Sequence, residues 1–171
     1  MEEENKPAAY DWSRFVKRVN INTDPSKAYQ SWATRQGLEN WFLRKAIFTR
    51  DQLILNPDVQ LEAGDEYEWY WHGWPDEMVE RGQVLEANGK DRFGFSFGKA
   101  GKVTVTIKKE QGQWLIELLQ EDIPLDDYSR YYFHLGCSTG WVFYMTNLKS
   151  VLEGGPDLRN RDVNLKNVIT S

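Results

Sequence analysis

The chain has 171 residues, 40% of them apolar and 27% charged, which fits one domain whose core needs neither a disulfide nor a metal to complete it. Lys and Arg number 21 against 26 Asp and Glu, a formal charge of −5, and this argues against a protein built for duplex nucleic acid or anionic membranes, since both require a basic face. A single cysteine, Cys137, excludes an internal disulfide, the acidic start Met1-Glu2-Glu3-Glu4 is unlike a signal peptide, and no run nears the ~18 apolar residues that span a bilayer, so a cytoplasmic location is expected.

Residues 1–12 are polar and proline-containing and are expected to form a flexible arm ahead of one domain at 13–155 and a surface tail at 156–171. Alternation from Arg14 to Asn22 suits a first strand. Asp24-Pro25 then pairs an N-cap with a first-turn proline, and Ala28, Tyr29, Trp32 and Ala33 share one helical face. Gly37 is expected to interrupt that helix before a second short one carrying Leu38, Trp41 and Phe42, after which the chain is extended to about Thr49. Residues 51–66 read as a connection with strand-like fragments. Tyr67, Trp69 and Trp71 alternate with Glu66, Glu68 and Tyr70 in a half-buried strand that ends at Gly73-Trp74-Pro75.

Three turn signals come next: Asn88-Gly89, suited to a type I′ hairpin, Gly98 to Gly101, and Gln111-Gly112. They separate strands at about 79–87, 92–97, 102–109 and 113–121, an antiparallel meander. Past Pro124 the period becomes helical. Phe133, Cys137, Trp141, Tyr144, Leu148, Val151 and Leu152 form a stripe that Leu135, Val142 and Met145 widen, and Gly154-Gly155-Pro156 ends it. The weak helix formers Gly136, Ser138, Thr139 and Gly140 leave two outcomes open, one continuous helix or a break here with Ser138 capping a second segment.

One antiparallel sheet, two short helices after its first strand and one long helix that must lie across the sheet make an α+β arrangement. The opening Val19-Asn20-Ile21-Asn22-Thr23-Asp24-Pro25-Ser26-Lys27-Ala28-Tyr29, with Gly37-Leu38-Glu39-Asn40-Trp41-Phe42, resembles the start of the START-like (SRPBCC) superfamily. The branch it resembles is that of the C-terminal domain of the activator of the ninety-kilodalton heat-shock chaperone's ATPase. The closing run from Gly140-Trp141-Val142-Phe143-Tyr144 to Leu152-Glu153-Gly154-Gly155 is similar to that branch's terminal helix, so the likeness covers about residues 14–155. It implies a helix-grip fold like that of the birch-pollen allergen, with a curved antiparallel sheet of six or seven strands around the long helix. For function it implies a range from lipid and hormone carriers through aromatic cyclases to chaperone activators. Filled by this one domain, the chain is expected to lack the separate N-terminal domain through which the resembled co-chaperone contacts its chaperone.

The composition holds eight Trp, eight Tyr and eight Phe, 14% of all residues. Tyr67, Trp69, Trp71, Phe93, Phe95 and Phe97, facing Trp114, Ile116 and Trp141 across the grip, either fill the interior to crystal-like density or line a pocket. Small residues at Gly136 and Gly140 would let helix and sheet approach closely, favouring the filled outcome. The candidate cavity residues are Trp69, Trp71, Phe93, Phe95, Trp114, Tyr131, His134, Ser138, Trp141 and Tyr144, with the hydroxyls and the imidazole supplying polar contacts.

Other chemistry is less well supported by the sequence. His72 has no carboxylate or nucleophile tied to it by spacing, and His134 with Cys137 falls short of a metal's ligand number. An inward Cys137 reads as a packed thiol. Most of Glu66, Glu68, Glu77, Glu80 and Glu86 alternate opposite apolar positions and read as a solvated face. Asp157 to Asp162 interleave opposite charges and read as a self-paired tail. The expectation is therefore a START-like, non-enzymatic protein with no cofactor and no metal, binding a small hydrophobic or aromatic molecule. A chaperone-accessory interaction protein is the first alternative and a cyclase or hydrolase the second. Candidate partners are a small hydrophobic ligand and a chaperone, with nucleic acid and membrane excluded and oligomeric state left open.

Overall fold

A computed structural model describes residues 9–170. Strand β1 (Phe15–Ile21) is followed by helices α1 (Pro25–Ala33) and α2 (Arg35–Trp41), then by β2 (Lys45–Arg50), β3 (Leu53–Ile54), β4 (Glu66–Tyr70), β5 (Glu80–Ala87), β6 (Arg92–Ser96), β7 (Lys102–Glu110) and β8 (Gln113–Glu121). One long helix, α3, spans 127–152. All pairings are antiparallel in one sheet of order β1-β8-β7-β6-β5-β4-β2-β3, so the meander is as expected, with one strand more than expected. The addition is β3, joined to β2 by Asp51 and Gln52, both at positive φ. A two-residue turn of this hand usually advertises itself with Asn or Gly, and here it does not.

The other turns divide. Gln111 and Gly112 both have positive φ and make the tight hairpin between β7 and β8. At Asn88-Gly89 only Gly89 does, so this is not the type I′ turn expected. Asn88 Oδ1 instead accepts from the backbone of Lys90, Asp91 and Arg92, an Asx arrangement that spans a longer loop.

Asp24 caps α1 by accepting from Ser26 N at 2.8 Å, and Ala28, Tyr29, Trp32 and Ala33 are all buried, as the periodicity requires. The break after α1 falls at Thr34, not Gly37. Thr34 is extended, its hydroxyl donating back to Gln30 O at 2.9 Å and accepting from Gly37 N at 2.9 Å, so one side chain ends α1 and begins α2. Gly37 lies inside α2, where a Cβ would sit 2.1 Å from Gln30 O; its smallness lets the two helices fold back on each other.

Of the two outcomes left open around Gly136 to Gly140, the structure has the continuous helix. Asp126 caps it, accepting from Ser129 N and Ser129 Oγ. An α turn (Asp127–Ser129) leads into a π-helical stretch (Arg130–Gly136) that continues as regular α-helix (Cys137–Leu152), so Ser138 is internal and caps nothing. The π stretch adds a residue to the turn and shifts the faces on either side of it. Leu135 and Val142, expected in the buried stripe, accordingly face solvent, while Trp141, Met145 and Leu148 are buried. Gly154, at positive φ, ends the helix.

The core lies between the inner face of the sheet and α1, α2 and α3. Phe42 is its hub: its ring stacks on Trp41 (5.2 Å between centroids) and Trp141 (5.0 Å) and meets Trp69 edge-on (5.6 Å). Trp141 is fixed by donating from Nε1 to the buried Gln120 Oε1 at 2.8 Å, and Gln120 donates in turn to Ala100 O. Within the expected arm, residues 1–8 lie outside the described residues. Tyr10 and Trp12 pack on His134, whose Nε2 is 2.8 Å from Tyr10 Oη and whose Nδ1 donates to Trp12 O at 2.9 Å.

Part of the tail is structural too. Asp157 pairs with Arg159 and Arg161, as self-pairing predicts, but Arg159 is 7% exposed and donates onward to Leu43 O and Glu39 O at 3.0 Å each. Buried Asn147 donates to Trp41 O and accepts from Leu158 N. These bonds hold the backbone at the end of α2, and with it Phe42.

Candidate functional site

Antiparallel alternation brings the ends of β4 and β6 and the start of β5 to one end of the sheet, beside the middle of α3. A cleft of about 360 Å³ opens there. Its walls are Phe42, just past α2, Trp71 and Trp74, just past β4, Phe97, just past β6, and Tyr132, Gly136, Cys137, Gly140, Trp141 and Tyr144 on α3. The helical members recur at spacings of three and four, so they share one face.

Gly136 and Gly140 act contrary to expectation. A Cβ on Gly140 would meet nothing within 4 Å, and one on Gly136 only Tyr131 O at 3.6 Å. They do not bring helix and sheet together; they leave space.

The ten candidate residues are distributed over four places. Trp71, Trp141 and Tyr144 line the cleft. Trp69, Phe93 and Phe95 lie in the solid core, each at most 1% exposed, with Trp69 stacked on Tyr67 at 3.9 Å. Trp114 lines separate hollows at the other end of the molecule, beside Tyr29 and Gly89 and beside Asn20 to Thr23. On α3, Tyr131 is exposed, Ser138 is half-buried away from the lining, and His134 is buried under the N-terminal segment.

Phe42, Trp74, Tyr132 and the two glycines were not recognisable as cleft residues from periodicity. Trp74 carried one usable signal: a Trp in a Gly-Trp-Pro turn has no strand or helix face to pack, and it stands 55% exposed.

The electrostatics of the cleft are those of a quiet apolar surface. Burial pushes the Tyr144 phenol up to about 12 and raises the Cys137 thiol, so neither is an activated nucleophile. His72, next to Trp71, is half-buried, and burial followed by Arg159, Arg161 and Arg44 lowers its pKa. No group of three or more metal-ligating side chains occurs among the described residues, and no helix among them is long and apolar enough to cross a membrane.

Several sheet carboxylates are paired on the outside, Glu68 with Arg81 and Glu86 with Arg92. Glu80 departs from the solvated face predicted for it: it is half-buried at the start of β5, and burial raises its pKa.

Solved structures share this architecture. A crystal structure of a Staphylococcus saprophyticus protein superposes with a TM-score of 0.64 at 13% identity, covering 85% of this chain and 96% of that one. The solution structure of the Aha1 dimer from Colwellia psychrerythraea gives 0.63 at 15% identity over 83% of this chain and 97% of that one. A crystal structure of a Mesorhizobium loti protein gives 0.62 at 15% identity over 82% and 96%. At these identities the likeness is one of fold. No curated protein matches the sequence significantly.

The family model described as "Activator of Hsp90 ATPase homolog 1-like protein" matches residues 22–153, the span from the end of β1 to the end of α3. With the helix grip formed by that same span, the chain belongs to the Activator of Hsp90 ATPase homolog 1-like family, a START-like (SRPBCC) domain.

Proposed function

We propose that this protein is a non-enzymatic binding module that takes a small hydrophobic or aromatic molecule in the cleft between the sheet end and α3. The observation that carries this reading is the cleft itself: about 360 Å³ walled by Phe42, Trp71, Trp74, Phe97 and Trp141, with Gly136 and Gly140 leaving its helical wall bare. That volume lies within the range of ligand sites, roughly 300–1,000 Å³. The mechanism is burial. Each Å² of apolar ligand surface removed from water contributes about 25 cal/mol, and flat rings around a flat guest add edge and stacking contacts. The hydroxyls of Tyr132 and Tyr144 are the polar groups available to orient it.

The protonation states speak against the enzyme reading, because a thiol and a phenol both shifted upward are less reactive than free ones. Native mass spectrometry of protein purified from its own host tests the proposal. A co-purifying small molecule, lost when Gly140→Leu fills the cleft, is the expected result; a clean apo mass across several preparations contradicts it.

A second reading has its own observation. Leu125, just ahead of α3, and Tyr128, Tyr131 and Val142 on it are all more than half exposed, apolar surface suited to docking a protein partner. The family's description and the dimeric relative make a chaperone-accessory role or self-association the form this would take. It predicts that Tyr128→Ser with Tyr131→Ser abolishes association while leaving ligand binding intact.

A further inference from the structure

Glu80 is a half-buried carboxylate that neither accepts a hydrogen bond nor enters an ion pair among the described residues. The other unpaired glutamates of this region, Glu66 and Glu77, stand in solvent and need no partner. A carboxylate partly withdrawn from water loses hydration, and protein interiors normally return that loss through a donor or a cation. Among the described residues no Lys, Arg or His pairs with Glu80, and burial raises its pKa. Arg44, at the neighbouring strand end, is already paired with Asp76.

The position of this carboxylate is specific. It forms one wall of a hollow of about 310 Å³ with Trp71, Trp74, Glu77, Met78 and Val79. Trp71 and Trp74 belong to the main cleft as well, so the two hollows share a wall of indole rings. On its other side the Glu80 carboxylate lies against Gly98, the residue after the cleft-lining Phe97. A Cβ there would fall 2.4 Å from Glu80 Oε1, so the glycine makes room for the carboxylate. Its charge is also felt at Cys137, on the helical wall of the main cleft. Neither hollow contains a Lys or Arg in its lining.

We propose that the cleft selects an organic cation, an apolar or aromatic body bearing an ammonium group, with the body among Phe42, Phe97 and Trp141 and the ammonium held by Glu80 and the rings of Trp71 and Trp74. This rests on the cleft being a ligand site and adds the charge of its ligand. The negative faces of indole rings attract a cation, and a single carboxylate in partly desolvated surroundings attracts it more strongly than one in bulk water. An anionic ligand of the same shape meets the reverse. The protein's net charge of −5 acts in the same direction during approach.

Three probes sharing one naphthylmethyl body test this on the full chain: (1-naphthylmethyl)trimethylammonium, neutral 1-naphthylmethanol and 1-naphthylacetate, titrated by calorimetry into the wild type and Glu80→Gln. The wild type is expected to bind the ammonium at least about tenfold more tightly than the acetate, and Glu80→Gln to lose about tenfold in ammonium affinity while its affinity for the alcohol stays within about twofold. Retained alcohol binding also reports that the variant is folded. Alcohol binding with no preference for the ammonium, or a preference that survives in Glu80→Gln, overturns the cation proposal and leaves the binding reading standing. Failure of all three probes to bind overturns both.

Discussion

Two groups of aromatic rings sit a few ångströms apart in this molecule and behave differently. Trp32, Trp41, Trp69, Phe93 and Phe95 form a solid layer with no exposed surface beyond 1%. Trp71, Trp74, Phe97 and Tyr132 surround a space. The residue types are the same, so composition and alternation do not separate them. Place does: the packed rings lie within α1, α2, β4 and β6, where regular neighbours press from every side. The cleft rings sit just past strand ends or project from the π-helical stretch, opposite two glycines. Phe42 belongs to both groups, and its position is set by the polar clamp of Arg159, Asp157 and Asn147 behind it.

The contrast breaks first, and most heavily, at Trp69. Trp69→Ala leaves a cavity in the packed layer and is expected to lower stability by about 3–5 kcal/mol, read from urea unfolding; a loss no greater than that of a cleft residue would show that the layer is not packed as described. Arg159→Met comes next, with an expected loss of about 2–4 kcal/mol, because it strands two backbone carbonyls and leaves the Asp157 carboxylate to Arg161 and Asn147. Its effect should also reach the cleft through Phe42, so probe affinity should fall along with the urea midpoint.

The clamp has a pH signature. Burial raises the Asp157 pKa, but hydrogen bonds from Arg159 and Arg161 outweigh it and hold the carboxyl well below the usual carboxylate range. A depressed native pKa contributes stability that is complete above the unfolded value of about 3.9 and disappears as pH falls below it. The urea midpoint should therefore drop between about pH 5 and pH 2, and less steeply in Asp157→Asn. An unchanged slope in that variant would mean other carboxylates govern acid unfolding.

Smaller effects mark the cleft. Gly140→Ala removes a helix-interior glycine into open space and should raise stability by up to about 1 kcal/mol. A loss instead would mean that the space is closed. Trp74→Ala should change stability by no more than about 0.5 kcal/mol while weakening an aromatic probe several-fold, a separation between stability and binding that no member of the packed layer should show.

Much of the fold was legible in the sequence because it rests on local signals. Period-two alternation marked the strands, Asp24-Pro25 and the face carrying Tyr29 and Trp32 marked α1, and the two ends of the domain carried the family. The features that were not legible have physical reasons. The Asp51-Gln52 turn forms without glycine because β2 and β3 pair around it. The π stretch keeps the apolar content and only rotates it, so periodicity placed Leu135 and Val142 on the wrong face. Arg159 is buried by carbonyls 116 and 120 positions away in sequence, which no local pattern reports. Of the cavity candidates, Trp71, Trp141 and Tyr144 line the cleft and Trp69, Phe93 and Phe95 do not, because alternation orders residues within a strand and the lining comes from the segments just beyond the strand ends.

The measurement that bears most directly on the cleft as a ligand site is a titration of neutral 1-naphthylmethanol tracked through the indole N–H resonances of the eight tryptophans. The signals of Trp71, Trp74 and Trp141 are expected to move together and saturate at one ligand per chain, while those of Trp32, Trp41 and Trp114 stay in place. No saturable movement, or movement centred on Trp114, would contradict a ligand site in the cleft.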